Sequence, residues 1–209
     1  MRSIGDGPPP APVPHGLVVR RPRQVHGAGV LVVDSPPPDG ALPWGRGPHD
    51  PFPEGDAVVA SGSGSALAVL TADCAAVALG SPEGIHGAVH VGWQGLGAGI
   101  VPRAVDTVRA LGASAVAAAI GPCIGPCCYE FSPRDLEVLG AWCGTEVLGT
   151  TTWGLPSLDL PAAVRGELSR SGVSTLDRAD VCTMCTPGYF SHRGRGDVAR
   201  QALFVWRLP

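Results

Sequence analysis

Three residues in this chain have the side chains and the placement to hold a metal ion together. Cys74 closes the stretch Thr71-Ala72-Asp73-Cys74, directly after the apolar run Ala66-Leu67-Ala68-Val69-Leu70, which reads as a buried strand. His90 ends a second apolar run, and His26 lies between two earlier strand-like segments in Gln24-Val25-His26-Gly27. One thiolate and two imidazoles meeting at strand ends would make a site with one position left open. Each is weak evidence alone, since a lone His is usually a hydrogen-bonded structural group and a lone Cys a small hydrophobe. His86 shares the strand of His90, and period-two alternation puts both on one face. Four residues of strand separate them by roughly 13 Å, so only one can reach the site, and spacing leaves the choice open. Asp73, adjacent to Cys74, is a candidate to orient a ligand or handle a proton.

These ligands need elements to carry them. Strands are expected over His15–Arg20, Gly29–Asp34, Asp56–Ala60, Ala66–Thr71, Ala75–Leu79, Ile85–Val91, Ala115–Ile120, Gly188–His192 and Gln201–Trp206. Apolar residues from Leu96 to Leu111 recur at helical spacing, with Pro102 required in the first turn unless it kinks the helix. Ser132-Pro133 starts a helix running to about Trp142, and Pro161 opens another over Leu160–Ser171. The pattern is α/β or α+β, a mixed sheet covered by helices. Residues 1–14 read as a flexible segment and 15–209 as a single domain. Between Ser35 and Gly55, seven prolines and four glycines suggest a long surface loop, with Trp44 and Phe52 anchoring it.

Composition excludes more than it identifies. The 209 residues carry a net charge of −3, so no strong field points to nucleic acid or a membrane surface. All 15 basic residues are Arg; with no Lys there is no Schiff-base, P-loop or Ser-x-x-Lys chemistry. No signal peptide or apolar membrane span is apparent, and an odd seven cysteines suggest a reducing, cytoplasmic compartment. Cys182-x-x-Cys185 alone would suggest a redox pair or half of a zinc knuckle, but no second pair has matching spacing, because Cys127 and Cys128 are adjacent. A structural role for the pair is the expectation.

Five motifs, in order, carry a resemblance. They are Gln24-Val25-His26-Gly27, Thr71-Ala72-Asp73-Cys74, His90-Val91-Gly92-Trp93-Gln94-Gly95, Gly121-Pro122 through Gly125-Pro126-Cys127-Cys128-Tyr129-Glu130, and Cys182-Thr183-Met184-Cys185 with Phe190-Ser191-His192-Arg193. Together, over residues 24 to 206, they resemble the YfiH-type laccase-domain family, whose members are called polyphenol oxidases, purine nucleoside phosphorylases and peptidoglycan editing factors.

The resemblance implies a zinc site of His26, Cys74 and His90, selecting His90 over His86. It also implies a fold shared distantly with cytotoxic necrotizing factor toxins. The activities it implies are phosphorolysis of adenosine, inosine, guanosine or methylthioadenosine, and adenosine deamination, on a small-molecule substrate with phosphate. By motif, Glu130 joins Asp73 as a candidate for proton handling, and Arg193, Arg200, Gln94 and Cys128 are candidates for substrate contact. The family's usual Arg is Gln94 here, which removes one guanidinium suited to phosphate.

Chemistry ranks these activities. Copper phenol oxidation is the least favoured, because six His include no His-x-His pair, and a Cys-His-His set suits Zn²⁺. The alternatives are a Cys74–His90 cysteine hydrolase or amidase acting in peptidoglycan editing, and a ligand-binding protein with a decayed site.

Overall fold

The described residues of this computed structural model are 13, 16–33, 53–144 and 147–207. Most of the expected flexible segment and of the proline-rich loop, including Trp44 and Phe52, lies outside them.

Alternation of side chains along the central strands decides the layering. In β3 (Ala57–Ala60), Ala57 and Val59 face one way while Val58 and Ala60 face the other, and all four are fully buried. A strand buried on both faces must be covered on both. One cover is helical and the other is a second sheet.

The larger sheet has six strands. In chain order they are β2 (Val30–Val33), β3, β5 (Ala75–Gly80), β6 (His86–Val91), β7 (Ala117–Ile120) and β10 (Ser174–Arg178). Their spatial order is β10-β7-β5-β6-β3-β2, with the two outer pairs parallel and the central pairings antiparallel. Against one face lie α1 (Trp93–Gly97), α2 (Ile100–Ala110), α3 (Pro133–Cys143) and α4 (Leu160–Arg170), enclosing Val89, Val91, Val105, Leu139 and Leu168. Against the other lies a three-stranded sheet, β1 (Val18–Arg20), β4 (Ser65–Thr71) and β11 (Gln201–Trp206), with β4 in the middle. Leu67 and Val69 of β4 meet Val58, Ala76 and Ala88 between the sheets. A short ribbon of β8 (Leu148–Thr150) and β9 (Pro156–Leu158), and α5 (His192–Arg195), complete the described elements.

The helix signals act as their chemistry requires. Ser132 Oγ accepts from the Asp135 amide at 3.1 Å and caps α3, with Pro133 in the first turn. Asp159 caps α4 by accepting from the Ala162 amide at 2.8 Å. The apolar periodicity beginning at Leu96 divides, because Gly99 takes a left-handed φ of 79° and restarts the chain as α2. Pro102 then falls in the first turn of α2.

Gly188–His192 is not a strand. Ser191 Oγ accepts from the Gly194 amide and caps α5 there. The outer strand β10, Ser-Thr-Leu-Asp-Arg, is exposed along its length and shows no alternation from which to read it.

The packing predicts a contrast. Leu168→Ala, in the helix-covered core, should cost about 2–5 kcal/mol. Ser132→Ala, which loses one cap bond, should cost about 1 kcal/mol. Chemical denaturation of both variants checks this, and similar losses in the two would contradict the assigned core.

Candidate metal centre and cavity

The antiparallel register of β5 and β6 sets Ala76 opposite His90, so Cys74, two residues before Ala76, emerges beside the histidine. On the other side of β6, Ala57 of β3 pairs with Val89. That leaves Asp56 level with His90, and the Asp56 carbonyl accepts from the His90 amide at 2.7 Å. The fully buried Asp56 carboxylate then reaches His90 Nδ1 at 2.8 Å. A histidine held at Nδ1 by a carboxylate has its tautomer fixed and presents Nε2 as a ligand. His86, at the opposite end of β6, places Nδ1 3.1 Å from the Gly84 carbonyl and stays away from the site.

His26 is delivered by the same carboxylate. Asp56 accepts from the amides of His26 at 2.9 Å and Gly27 at 2.7 Å, with a longer contact from Val25 at 3.4 Å. This cradle holds His26 at a φ of 59°, uncommon for a residue with a Cβ. Gln24 fastens the loop to β4 by donating to the Leu70 carbonyl and accepting from its amide. The donor atoms of His26, Cys74 and His90 lie within 4.8 Å of one another, and the two imidazoles meet edge to face. Gly92 gives them room: a Cβ there would come within 3.1 Å of Cys74 Sγ and 3.0 Å of the His26 ring.

Electrostatics favour an ionised thiolate. Burial pushes the Cys74 thiol up, but hydrogen bonds with His26 and His90, together with their charge, outweigh it and bring it down to about 7 from 9.0. Burial alone would lower His90; bonds to Asp56 and Cys74 hold it up at about 9.

A cavity of about 700 Å³ opens from this cluster. Its wall carries Arg21, Arg23, Arg193 and Arg200 as well as Trp93, Gln94, Tyr129 and His192. The Arg193 guanidinium lies over the Tyr129 ring, 5.1 Å from its centroid, and donates to the Glu130 carbonyl. Arg200 is aimed by bonds to the carbonyls of Asp197 and Ala199.

Of the candidates read from sequence, Arg193, Arg200, Gln94, Asp73 and the three metal ligands line this cavity. Asp73 has both carboxylate oxygens engaged, one by Thr183 Oγ1 and one by the Arg193 amide, each at 2.7 Å. These bonds tie it to the Arg193 backbone and to Thr183. Two other candidates lie elsewhere. The Glu130 carboxylate is exposed and accepts from Trp153 Nε1, and Glu130 is not among the residues that line the cavity. Cys128 is buried in a group with Cys127, Cys182 and Cys185, not in the cavity wall.

Asp56, Tyr129, Thr183 and His192 were missed. A lone Asp heading a fully apolar strand was the available signal for Asp56.

The geometry gives one prediction for the metal-free protein. Because the folded-state pKa of Cys74 is depressed, its thiolate forms as pH rises through about 7. Alkylation of Cys74 should therefore rise with a midpoint near pH 7, and added zinc should protect it. Peptide-level mass spectrometry against pH reads this out, and a midpoint near 9 would contradict the electrostatic assignment.

Comparison with known proteins shows the family. Residues 14–208 match the family model described as multi-copper polyphenol oxidoreductase laccase. The chain is 41% identical over 186 residues to a purine nucleoside phosphorylase of Streptomyces coelicolor, covering 88% of this chain and 72% of that protein. It is 34% identical over 187 residues to a purine nucleoside phosphorylase of Mycobacterium tuberculosis, covering 88% and 70%. Among solved structures, YlmD of Geobacillus stearothermophilus superposes with a TM-score of 0.75 at 31% identity, covering 91% of this chain and 73% of that one. The YfiH protein of Bacillus licheniformis gives 0.76 at 27%, covering 89% and 73%. With the family matched over nearly its whole length, the chain belongs to the laccase-domain family of YfiH-like proteins.

Proposed function

We propose that this protein is a zinc-binding purine nucleoside phosphorylase. One observation carries the reading: a single cavity holds a Cys-His-His cluster at one end and arginines with aromatic rings along its wall. Its relatives named purine nucleoside phosphorylase support the same class of reaction.

The donor set fits zinc better than copper. A Cys-His₂ site that takes copper for electron transfer usually adds a long axial Met. Met184 instead packs on Gly194, and it does not line the cavity. When bound, zinc supplies Lewis acidity at this end of the cavity.

The chain's own residues divide the remaining work. Arg193 and Arg200 offer guanidinium donors suited to phosphate oxygens. Tyr129 already stacks on Arg193, leaving Trp93, 38% exposed at the cavity edge, as the ring suited to stack on a purine. Gln94 offers one donor and one acceptor, matched to a base edge or to a ribose hydroxyl. Phosphate held by the arginines attacks ribose C1′, and the purine leaves from the same carbon. His192 is the remaining titratable side chain in the wall suited to protonate the departing base.

A second reading has its own observation. Cys74, His90 and Asp56 stand in nucleophile, base and orienting order, which suits a cysteine hydrolase or amidase. His26, a third donor aimed at the same point, favours the metal over the nucleophile.

Metal content and turnover separate the two. Purified protein should bind zinc at this site, and should convert inosine plus phosphate to hypoxanthine and ribose 1-phosphate; Cys74→Ala should lose both. Adenosine alone, followed for ammonia, tests deamination in parallel. Metal bound with no nucleoside turned over would overturn the phosphorylase reading. A wild type with no metal on Cys74, and Cys74 acting as the nucleophile, would establish the hydrolase.

Two variants test the supporting groups. Asp56→Asn should weaken zinc affinity about 10–100-fold, read by competition with a chelating dye. Arg193→Ala keeps the backbone amide that bonds Asp73, so it should raise the KM for phosphate while leaving zinc stoichiometry unchanged.

A further inference from the structure

On the far side of Asp73, four cysteines that the sequence does not pair by spacing come together. Cys127 and Cys128 sit on the turn after β7, and Cys182 and Cys185 on the turn after β10. Their Sγ atoms all lie within 4.8 Å of one another, and those of Cys127 and Cys185 are 3.9 Å apart. A zinc ion bound by four thiolates at about 2.3 Å requires sulfur–sulfur edges of roughly 3.8 Å. A disulfide requires about 2.05 Å, and all four thiols are free.

We infer that Cys127, Cys128, Cys182 and Cys185 form a second metal site, a closed tetrathiolate zinc centre separate from the His26–Cys74–His90 cluster. The backbone around it is built as a sulfur cradle. The Gly125 amide donates to Cys182 Sγ at 3.2 Å. A Cβ on Gly125 would lie in contact with Cys127 Sγ and Cys182 Cβ, 3.4 Å from each, so this backbone passes directly against the cluster. The two turns are already joined through the backbone: Cys123 and Cys182 pair as an isolated parallel β-bridge, and the Thr183 amide donates to the Cys123 carbonyl. The amide of Thr186 donates to the carbonyl of Cys182 and folds the Cys-x-x-Cys segment back on itself.

A dication bound there would hold all four cysteines as thiolates. With four protein ligands there is no open position, so the site is structural. Its lever is Thr183, between Cys182 and Cys185, whose hydroxyl bonds Asp73.

The test uses the full-length chain, reduced, loaded with zinc and passed through a desalting column, with metal and thiols counted per chain. Wild type should hold two zinc ions if both sites fill. Cys74→Ser should retain one, and Cys182→Ser/Cys185→Ser should lose the one that Cys74→Ser keeps. Cobalt(II) in place of zinc adds a second readout that does not depend on the cluster variant folding. Cys74→Ser should show sulfur-to-cobalt charge transfer of four-thiolate intensity. If the His26–Cys74–His90 site takes no metal, wild type and Cys74→Ser both hold one ion, which leaves this inference standing. Reduced Cys74→Ser that binds no zinc or cobalt would overturn it. So would intact masses about 4 Da low in protein isolated under thiol-trapping conditions, which would show two disulfides in the cluster.

Discussion

The centre depends on a single buried carboxylate. Asp56 is fully enclosed and would be untenable there as an isolated charge. It persists because His90 and successive backbone amides of the 25–27 loop converge on it. Those donors hold its pKa below the ordinary range against the opposing effect of burial. The arrangement works in both directions: the carboxylate is stabilised by the loop, and the loop is shaped by the carboxylate. One residue thereby orients His90 through its ring and His26 through its backbone. Two of the three candidate metal donors are fixed by the same carboxylate, which lets the cluster form on segments far apart in sequence.

Asp73 repeats the device one strand away. Its φ of 93° is a conformation that side-chain-bearing residues rarely adopt, and it turns the chain from β4 into Cys74. Thr183 and the Arg193 amide bond its carboxylate, while the Ile124 amide bonds its carbonyl. Three segments that share no strand are thus tied to the residue preceding the thiolate. The four-cysteine group lies on two of them, so whatever stiffens those turns also stiffens the approach to Cys74.

Much of the sheet was legible because its strands are short apolar runs bounded by glycine, serine and proline. The helices were legible through Ser132 and Pro133 and through the periodicity that Gly99 divides. β10 was not legible, since an exposed outer strand needs no alternation. Gly188–His192 misled because Tyr189 and Phe190 have strand propensity, whereas the Ser191 cap and its neighbouring glycines govern the local geometry. At the site, His26, Cys74 and His90 were read from their motifs, and the structure brings their donor atoms together. Asp56 was invisible as a partner because only the placement of β3 beside β6 brings it to His90. Glu130 is the converse case: it was read from its motif, and its exposed carboxylate accepts from Trp153 Nε1 outside the residues that line the cavity. Cys127 and Cys128 failed as a spacing argument, because adjacent residues on one turn can face two residues of another.

These constraints bear on how the cavity can work. His26, Asp73 and Arg193 all belong to loops or turns, which are ordinarily the mobile parts of a fold. Here the loop backbone is bonded to buried carboxylates, so the positions of the donors are set before any ligand arrives. Preorganisation of that kind lowers the cost of assembling several groups around one substrate. Arg23 differs: it pairs with exposed Glu54 at the cavity rim, where solvent screens the attraction. The cavity is therefore stiff at the thiolate and more easily rearranged at its rim. That gradient suits a reaction in which one end must hold its geometry while the other admits and releases an anion.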